Sequence, residues 1–167
     1  MSLICVDNHL LIWGVRNEAT KGQEDMVAKA VRYINFLDEQ KDDILVPSVV
    51  LAEFLAGVPD ERSAAVLAVM EKRFKIAPFD TPAAVIAARI WRKMKLENPA
   101  LLDELKQAGD SRTKIKADIQ IIATAVARKA AQIISHDAGL QKLAIGLIDA
   151  VPIPDIPTQG SLFDDGH

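Results

Sequence analysis

Apolar residues along the chain follow two patterns, which predict strands alternating with helices. Short apolar runs at 3–6, 44–47, 75–77 and 132–135 are typical of buried parallel strands. A fifth strand is predicted at 148–153. Strands separated by helices indicate a three-layer α/β/α fold with a central parallel sheet of four or five strands.

The helical segments are recognised by apolar spacing and by their end signals. Met26, Ala30, Ile34 and Leu37 recur at helical spacing, so residues 24–39 are predicted as an amphipathic helix. Ser48 is predicted to cap the helix that carries Glu53 and ends before Gly57. Further helices are predicted to open at 10–13 and to cover 60–73, 82–94 and 119–131.

Residues 97–116 and the C-terminus depart from this regular alternation. The segment 97–116 contains Pro99, Gly109 and many charges, so we predict a mobile excursion with one short helix at 101–107. Asp118 is then expected to open the next helix. Prolines are closely spaced after Val151, which predicts a domain at 1–151 and an extended tail at 152–167.

Composition narrows the class of protein. The chain has 167 residues, half of them hydrophobic, which suits one domain with a sizeable core. No apolar run approaches the ~20 residues of a membrane span, and the N-terminus lacks signal-peptide flanks, so we expect a cytoplasmic protein. Cys5 is the only cysteine, which leaves no internal disulfide and no thiolate cluster for zinc. The net charge of −3 argues against nucleic-acid binding through overall charge.

Four acids are expected to meet at one edge of the sheet. Asp7 and Asp137 follow predicted strands, while Glu53 and Asp118 lie near the starts of helices leaving the same edge. Acids at a shared site repel one another, and a bound cation relieves that repulsion. Oxygen ligands favour Mg²⁺ or Mn²⁺, which can activate water for phosphodiester hydrolysis. The alternative for each acid alone is a cap or turn residue.

The order and context of these acids resemble the PIN-domain family over residues 3 to about 151. An apolar strand ends in Asp7 and runs into an aliphatic stretch, and a Pro-Ser pair precedes the helix that carries Glu53. Asp118 precedes an alanine-rich stretch, and a strand leads to the Ser-His-Asp sequence at 135–137. Many relatives have Asn or Ser two residues after the first Asp, whereas this chain has His9.

The resemblance implies an activity, a metal cofactor and partners for this chain. It implies a ribonuclease that uses Mg²⁺ or Mn²⁺ held by Asp7, Glu53, Asp118 and Asp137 to cleave RNA. Members of the family include VapC-type toxins, which an antitoxin protein silences, and proteins with RNA-processing or DNA-linked roles, and the resemblance does not choose among these. It also implies a homodimer. Ser135 is a candidate to hydrogen-bond an acid or a metal-bound water, and His9 and His136 are left out of the catalytic set.

Two segments outside the acids are candidates for partner binding. Positive charge concentrates ahead of Asp118 and could guide a phosphate backbone, or could be a solvated helix face. The basic residues are Arg89, Arg92, Lys93, Lys95, Lys106, Arg112, Lys114 and Lys116. In the tail, Gln159–Phe163 resembles the peptide that docks on the bacterial sliding clamp, with an ordinary tail as the alternative.

Two other classes compete with a nuclease. A phosphotransfer domain, either a receiver or a haloacid-dehalogenase-like fold, also has Asp at a strand end. The haloacid-dehalogenase-like fold requires a second Asp two residues after the first, where this chain has His9, and the adjacent acidic pair of a receiver is absent. A non-catalytic PIN-like binding module is the other alternative, and the presence of all four acids weakens it.

Overall fold

The parallel sheet predicted from the sequence is present and has five strands. The computed structural model describes residues 1–156. Its strands are β1 (Leu3–Val6), β2 (Asp43–Pro47), β3 (Lys75–Ala77), β4 (Gln132–Ile134) and β5 (Asp149–Val151). All four neighbouring pairs are parallel, in the order β3-β2-β1-β4-β5.

Within residues 1–156, eight helices flank the sheet, which confirms the three-layer α/β/α class. They are α1 (Asn8–Gly14), α2 (Glu24–Gln40), α3 (Ser48–Ala56), α4 (Asp60–Arg73), α5 (Thr81–Glu97), α6 (Pro99–Gln107), α7 (Arg112–Ala127) and α8 (Ala138–Ala144). None of these helices is long and apolar enough to cross a membrane.

The strand order creates a crevice beside β1. The chain runs from β1 outward to β2 and β3, and later returns to the other side of β1 as β4. Loops that leave β1 and β4 therefore diverge at the carboxyl edge, which is where open α/β sheets bind ligands. The Asp7 amide still donates to the Ile134 carbonyl, at 3.3 Å. Residues directly after β1 and β4 are thus held side by side at this crevice.

The core explains why β1 is wholly apolar. Cys5 and Val6 have no exposed surface, because the central strand is covered on both faces. Burial raises the pKa of the Cys5 thiol, so this cysteine is a neutral packing residue. The start of the predicted tail also packs on the domain, since Ile153 is buried and Asp155 pairs with Lys29 at 2.9 Å.

The mobile excursion predicted at 97–116 was wrong, because helices occupy most of this segment, but the short helix predicted within it at 101–107 is present as α6. Asn98 ends α5 and caps α6, accepting from the Leu101 amide at 3.3 Å, and Pro99 occupies the first turn. Gly109, with φ of +100°, provides the left-handed turn between α6 and α7. The prolines, glycines and charges here are boundaries of closely spaced helices.

Two helix starts also differ from prediction. Asp118 does not open its helix, because α7 begins at Arg112 after a cap from Ser111, whose hydroxyl accepts from the Lys114 amide at 3.1 Å. Ser48 is not a cap but the first residue of α3, and its hydroxyl accepts from the Phe79 amide at 3.2 Å. Helix α8 was not predicted.

Candidate active site

Asp7 lies at the carboxyl end of β1, where both of its carboxylate oxygens are engaged. Its Oδ1 caps α1, accepting from the His9 amide at 3.1 Å and the Leu10 amide at 3.5 Å. Its Oδ2 accepts from the Ser135 hydroxyl at 2.5 Å. The carboxylate is buried, and burial raises its pKa. Asp7 is therefore a cap as well as a candidate ligand.

Ser135 joins the acids that follow β1 and β4. It is fully buried, donates to Asp7 and accepts from the Asp137 amide at 3.1 Å. Asp137 in turn caps α8, with its Oδ1 accepting from the Leu140 amide at 2.9 Å. One hydroxyl thus fixes the two strand-end acids relative to each other, so the expected hydrogen bond between Ser135 and an acid is present.

Lys114 lies at the centre of a second acidic group. Its ammonium contacts Asp118 at 2.9 Å, Asp137 at 3.0 Å and Asp110 at 3.3 Å. The carboxylate oxygens of the three aspartates lie within 4.8 Å of one another. Within residues 1–156, this is the one group of three such side chains close enough to share an ion. The arrangement stabilises a positive charge held between carboxylates.

The protonation of these groups reflects burial and neighbours. Burial raises the pKa of Asp118 to about 6, although Lys114 acts in the opposite direction. Burial also acts to raise the pKa of Asp137, but hydrogen bonds from the Leu140 amide and Lys114 outweigh it and lower the pKa. Hydrogen bonds to Asp118 and Asp137 overcome burial and raise the pKa of Lys114. The three carboxylates around Lys114 therefore favour its charged form.

Glu53 completes the set from α3. Its side chain is more exposed than the aspartates, and its pKa is raised first by burial and then by the charge of Asp7. The structure brings the four predicted acids into one cleft of about 410 Å³. The cleft is lined by Asp7, Asn8, His9, Glu53, Ser111, Thr113, Lys114, Ala117, Asp118, Ile121, Asp137 and Leu140.

One oxygen beside Asp7 lacks a hydrogen-bond partner. Asn8 Oδ1 is buried and accepts from no group of residues 1–156. Buried acceptors normally have a partner. The grouped carboxylates and this amide oxygen are all hard oxygen donors, which is the ligand type that Mg²⁺ and Mn²⁺ take.

Two members of the acidic group around Lys114 were not assigned to the site from the sequence: Asp110 and Lys114 itself. No role in the site is predicted for Asp110, and Lys114 is one of the basic residues expected either to guide a phosphate backbone or to form a solvated helix face. Their spacing was the available signal, because Asp110, Lys114 and Asp118 follow one another at intervals of four residues. That spacing aligns side chains along one face of a helix.

The two histidines lie at the margin of the site. His9 and His136 both approach the buried Trp13, with ring centroids 5.5 and 5.3 Å away. His136 Nε2 accepts from the Ile153 amide at 3.0 Å, and burial lowers the pKa of His136. His136 therefore anchors the start of the C-terminal segment.

A family model described as PIN domain matches residues 4–146. The chain belongs to the PIN domain family. The match includes all four acids and the strands and helices that carry them. No curated protein sequence matches the chain.

Solved structures share this PIN fold at low sequence identity. VapBC2 from Rickettsia felis, bound to a DNA fragment from its promoter, is 15% identical with a TM-score of 0.58, covering 89% of this chain and 96% of that chain. DNA-bound VapBC from Salmonella typhimurium is 17% identical with a TM-score of 0.56, covering 90% and 97%. VapC20 from Mycobacterium tuberculosis, a toxin that cleaves the Sarcin-Ricin loop, is 14% identical with a TM-score of 0.53, covering 87% and 97%.

Proposed function

We propose that this PIN domain is a metal-dependent ribonuclease that hydrolyses RNA phosphodiester bonds at the cleft of Asp7, Glu53, Asp118 and Asp137. The observation that carries the proposal is the convergence of these acids from four separate places in the chain. Structural capping explains Asp7 and Asp137 individually, but it does not explain why Glu53 and the buried Asp118 face the same cleft.

The cleft residues have the chemistry to hold Mg²⁺ or Mn²⁺. Asp118 and Asp137 already share the charge of Lys114, and Asp7 and Glu53 line the same space. When bound, such an ion supplies a Lewis acid that lowers the pKa of water and neutralises charge on the phosphate.

The protein's own residues would orient this chemistry. Ser135 and the α1 amides hold the Asp7 carboxylate in one orientation, and the α8 cap does the same for Asp137. Preorganised charge of this kind needs no rearrangement when the substrate arrives. Lys114 is a cation within the cleft that is available to a substrate phosphate once the carboxylates bind another cation.

A partner protein follows from the same family resemblance. Because VapC20 is described as a toxin, we infer that this chain acts as the toxin of a toxin–antitoxin pair and is silenced by an antitoxin, and we expect a homodimer. The clamp-like segment Gln159–Phe163 lies outside the described residues, and clamp binding stays a proposal drawn from the sequence.

The first test is cleavage of a mixed RNA pool with Mn²⁺, with Mg²⁺ or with a chelator. Wild type is expected to cut only with metal, and Asp118→Asn to lose roughly two orders of magnitude or more, the size expected when one electrostatic contributor is removed. Asp103→Asn, the same change on the exposed surface of α6, is the matched control.

The outcomes separate the competing explanations. Equal cutting by wild type and Asp118→Asn indicates a contaminating nuclease and contradicts the assigned site. A wild type that binds metal but cuts no RNA favours the non-catalytic binding module.

A further inference from the structure

Three cations surround a single tryptophan on the helices next to the cleft. Lys95 Nζ, Arg112 Cζ and Lys116 Nζ lie 5.6, 5.5 and 5.6 Å from the centre of the Trp91 ring. Trp91 and Lys95 come from α5, while Arg112 and Lys116 come from α7. We call these four residues the Trp91 cluster.

The charge of the Trp91 cluster is not neutralised within the described chain. Lys95, Arg112 and Lys116 are exposed, and none of them forms an ion pair with an acid of residues 1–156. Cation–π attraction between solvent-exposed cations and the half-buried Trp91 ring is weak, whereas like charges gathered on one ring repel. An arriving anion would relieve that repulsion, so the cluster is suited to bind one.

The cluster and the cleft occupy the two flanks of α7. Ile115 and Ile119 form the buried side of this helix. Successive residues of an α-helix are rotated by about 100° around its axis. Lys114 and Asp118 therefore lie on one side of the face formed by Ile115 and Ile119, and Arg112 and Lys116 lie on the other side. A helix with its side chains is about 10–12 Å across, so one extended strand crossing the start of α7 can contact both flanks.

Overall charge explains why an RNA substrate needs such a contact. The chain carries a net charge of −3, and its cleft is lined by four acids, so both repel a polyanion at long range. Phosphate contacts provide most of the affinity of nucleic-acid binding. Cations arranged around an aromatic ring are also the combination that proteins use for single strands.

We propose that the Trp91 cluster is a second binding site for single-stranded RNA, which holds phosphates of the strand whose scissile bond lies in the cleft. This inference rests on the proposed ribonuclease function. Guanidinium and ammonium groups contact the phosphates, while Trp91 keeps the three cations together and offers its ring edge to a base.

The test measures RNA binding separately from RNA cleavage. A fluorescent single-stranded RNA of about 12 nucleotides, within the ~4–16 covered by known single-strand sites, is titrated with full-length protein in the Asp118→Asn background. The cluster variant is Lys95→Gln/Arg112→Gln/Lys116→Gln. The control is Lys21→Gln/Arg62→Gln/Lys72→Gln, which removes the same charge from exposed positions before α2 and on α4.

The cluster variant is expected to bind RNA on the order of tenfold more weakly than the control. Each phosphate contact on a single strand contributes about 0.7 to the slope of log affinity against log salt, so the slope should fall by about 2. Identical affinity and slope in the two variants would overturn the proposal. Tighter binding of duplex DNA of the same length than of RNA would also overturn it.

Two additional measurements separate this proposal from its alternatives. Cluster-dependent binding of polyglutamate without cluster-dependent RNA binding would assign the surface to an acidic protein partner instead. RNA cutting is measured in the catalytically intact background and RNA binding in the Asp118→Asn background. If the protein cuts RNA with metal and the cluster variant binds RNA as well as the control does, the ribonuclease stands and the RNA site is rejected. Cluster-dependent RNA binding by a wild type that cuts nothing would support the site and reject the nuclease.

Discussion

The Lys114 ammonium is the group that determines the charge balance of the cleft. It contacts Asp110, Asp118 and Asp137 within 3.3 Å, and these are carboxylates suited to a divalent ion. A divalent ion bound as proposed would therefore compete with Lys114 for Asp118 and Asp137. Lys114 stabilises the metal-free protein by the same interactions that would oppose binding of that ion.

Replacing Lys114 separates these two effects. Lys114→Met is expected to lower the thermal midpoint without metal, because three nearby carboxylates lose their cation. It is also expected to increase the rise in midpoint caused by millimolar Mn²⁺, since an ion that binds only the folded state stabilises it. Differential scanning fluorimetry with and without Mn²⁺ measures both.

The control for this variant is Lys142→Met, which removes a surface pair with Glu104. It should respond to Mn²⁺ as wild type does. A smaller metal response in Lys114→Met than in wild type would contradict competition and would indicate that Lys114 assists metal binding.

At the scale of elements, α7 brings the site together. It carries Asp118 and Lys114 on one flank and two cations of the Trp91 cluster on the other. Its start is fixed by Ser111, whose hydroxyl accepts from the Lys114 amide. This bond therefore fixes the backbone position from which the Lys114 side chain extends.

Removing this cap should weaken the helix start measurably. Ser111→Ala is expected to lower the free energy of unfolding by about 1 kcal/mol, the usual loss for an N-cap serine. Ser111→Thr, which retains a hydroxyl, should restore most of it. Urea denaturation provides the values, and equal stability of Ser111→Ala and wild type would show that the capping bond contributes nothing.

At the scale of the whole molecule, the buried acids make the stability of the metal-free protein depend on pH. Burial raises the pKa of Asp118 from 3.8 to about 6, so the folded state holds this proton more tightly than the unfolded state does. Its stabilising contribution is fully present below pH 3.8 and is lost as pH rises through about 6.

The size of this dependence can be measured against Asp118→Asn. At 1.36 kcal/mol per pKa unit, wild type should gain on the order of 3 kcal/mol relative to the variant as pH falls from neutral to about 4. Urea denaturation with a chelator at several pH values measures the difference. Parallel pH profiles for the two proteins would contradict a raised pKa for Asp118.

The order of elements and the acids at strand ends could be predicted from the sequence. Strands such as β1 and β4 are local apolar runs, and the carboxyl ends of parallel strands share one edge, so Asp7 and Asp137 were expected together. The PIN fold was predicted from the same motifs and is confirmed. These features depend on local pattern and on a general rule of sheet geometry.

The partners of the basic residues were decided only by the tertiary structure. The helix boundaries at 97–116 had local signals in the sequence, because Asn98, Gly109 and Ser111 act as caps and turns between α5, α6 and α7. Lys114 meets Asp137, and Trp91 meets Arg112, across different elements. Such encounters depend on how elements pack against each other, and the spacing of residues along one element does not specify that packing.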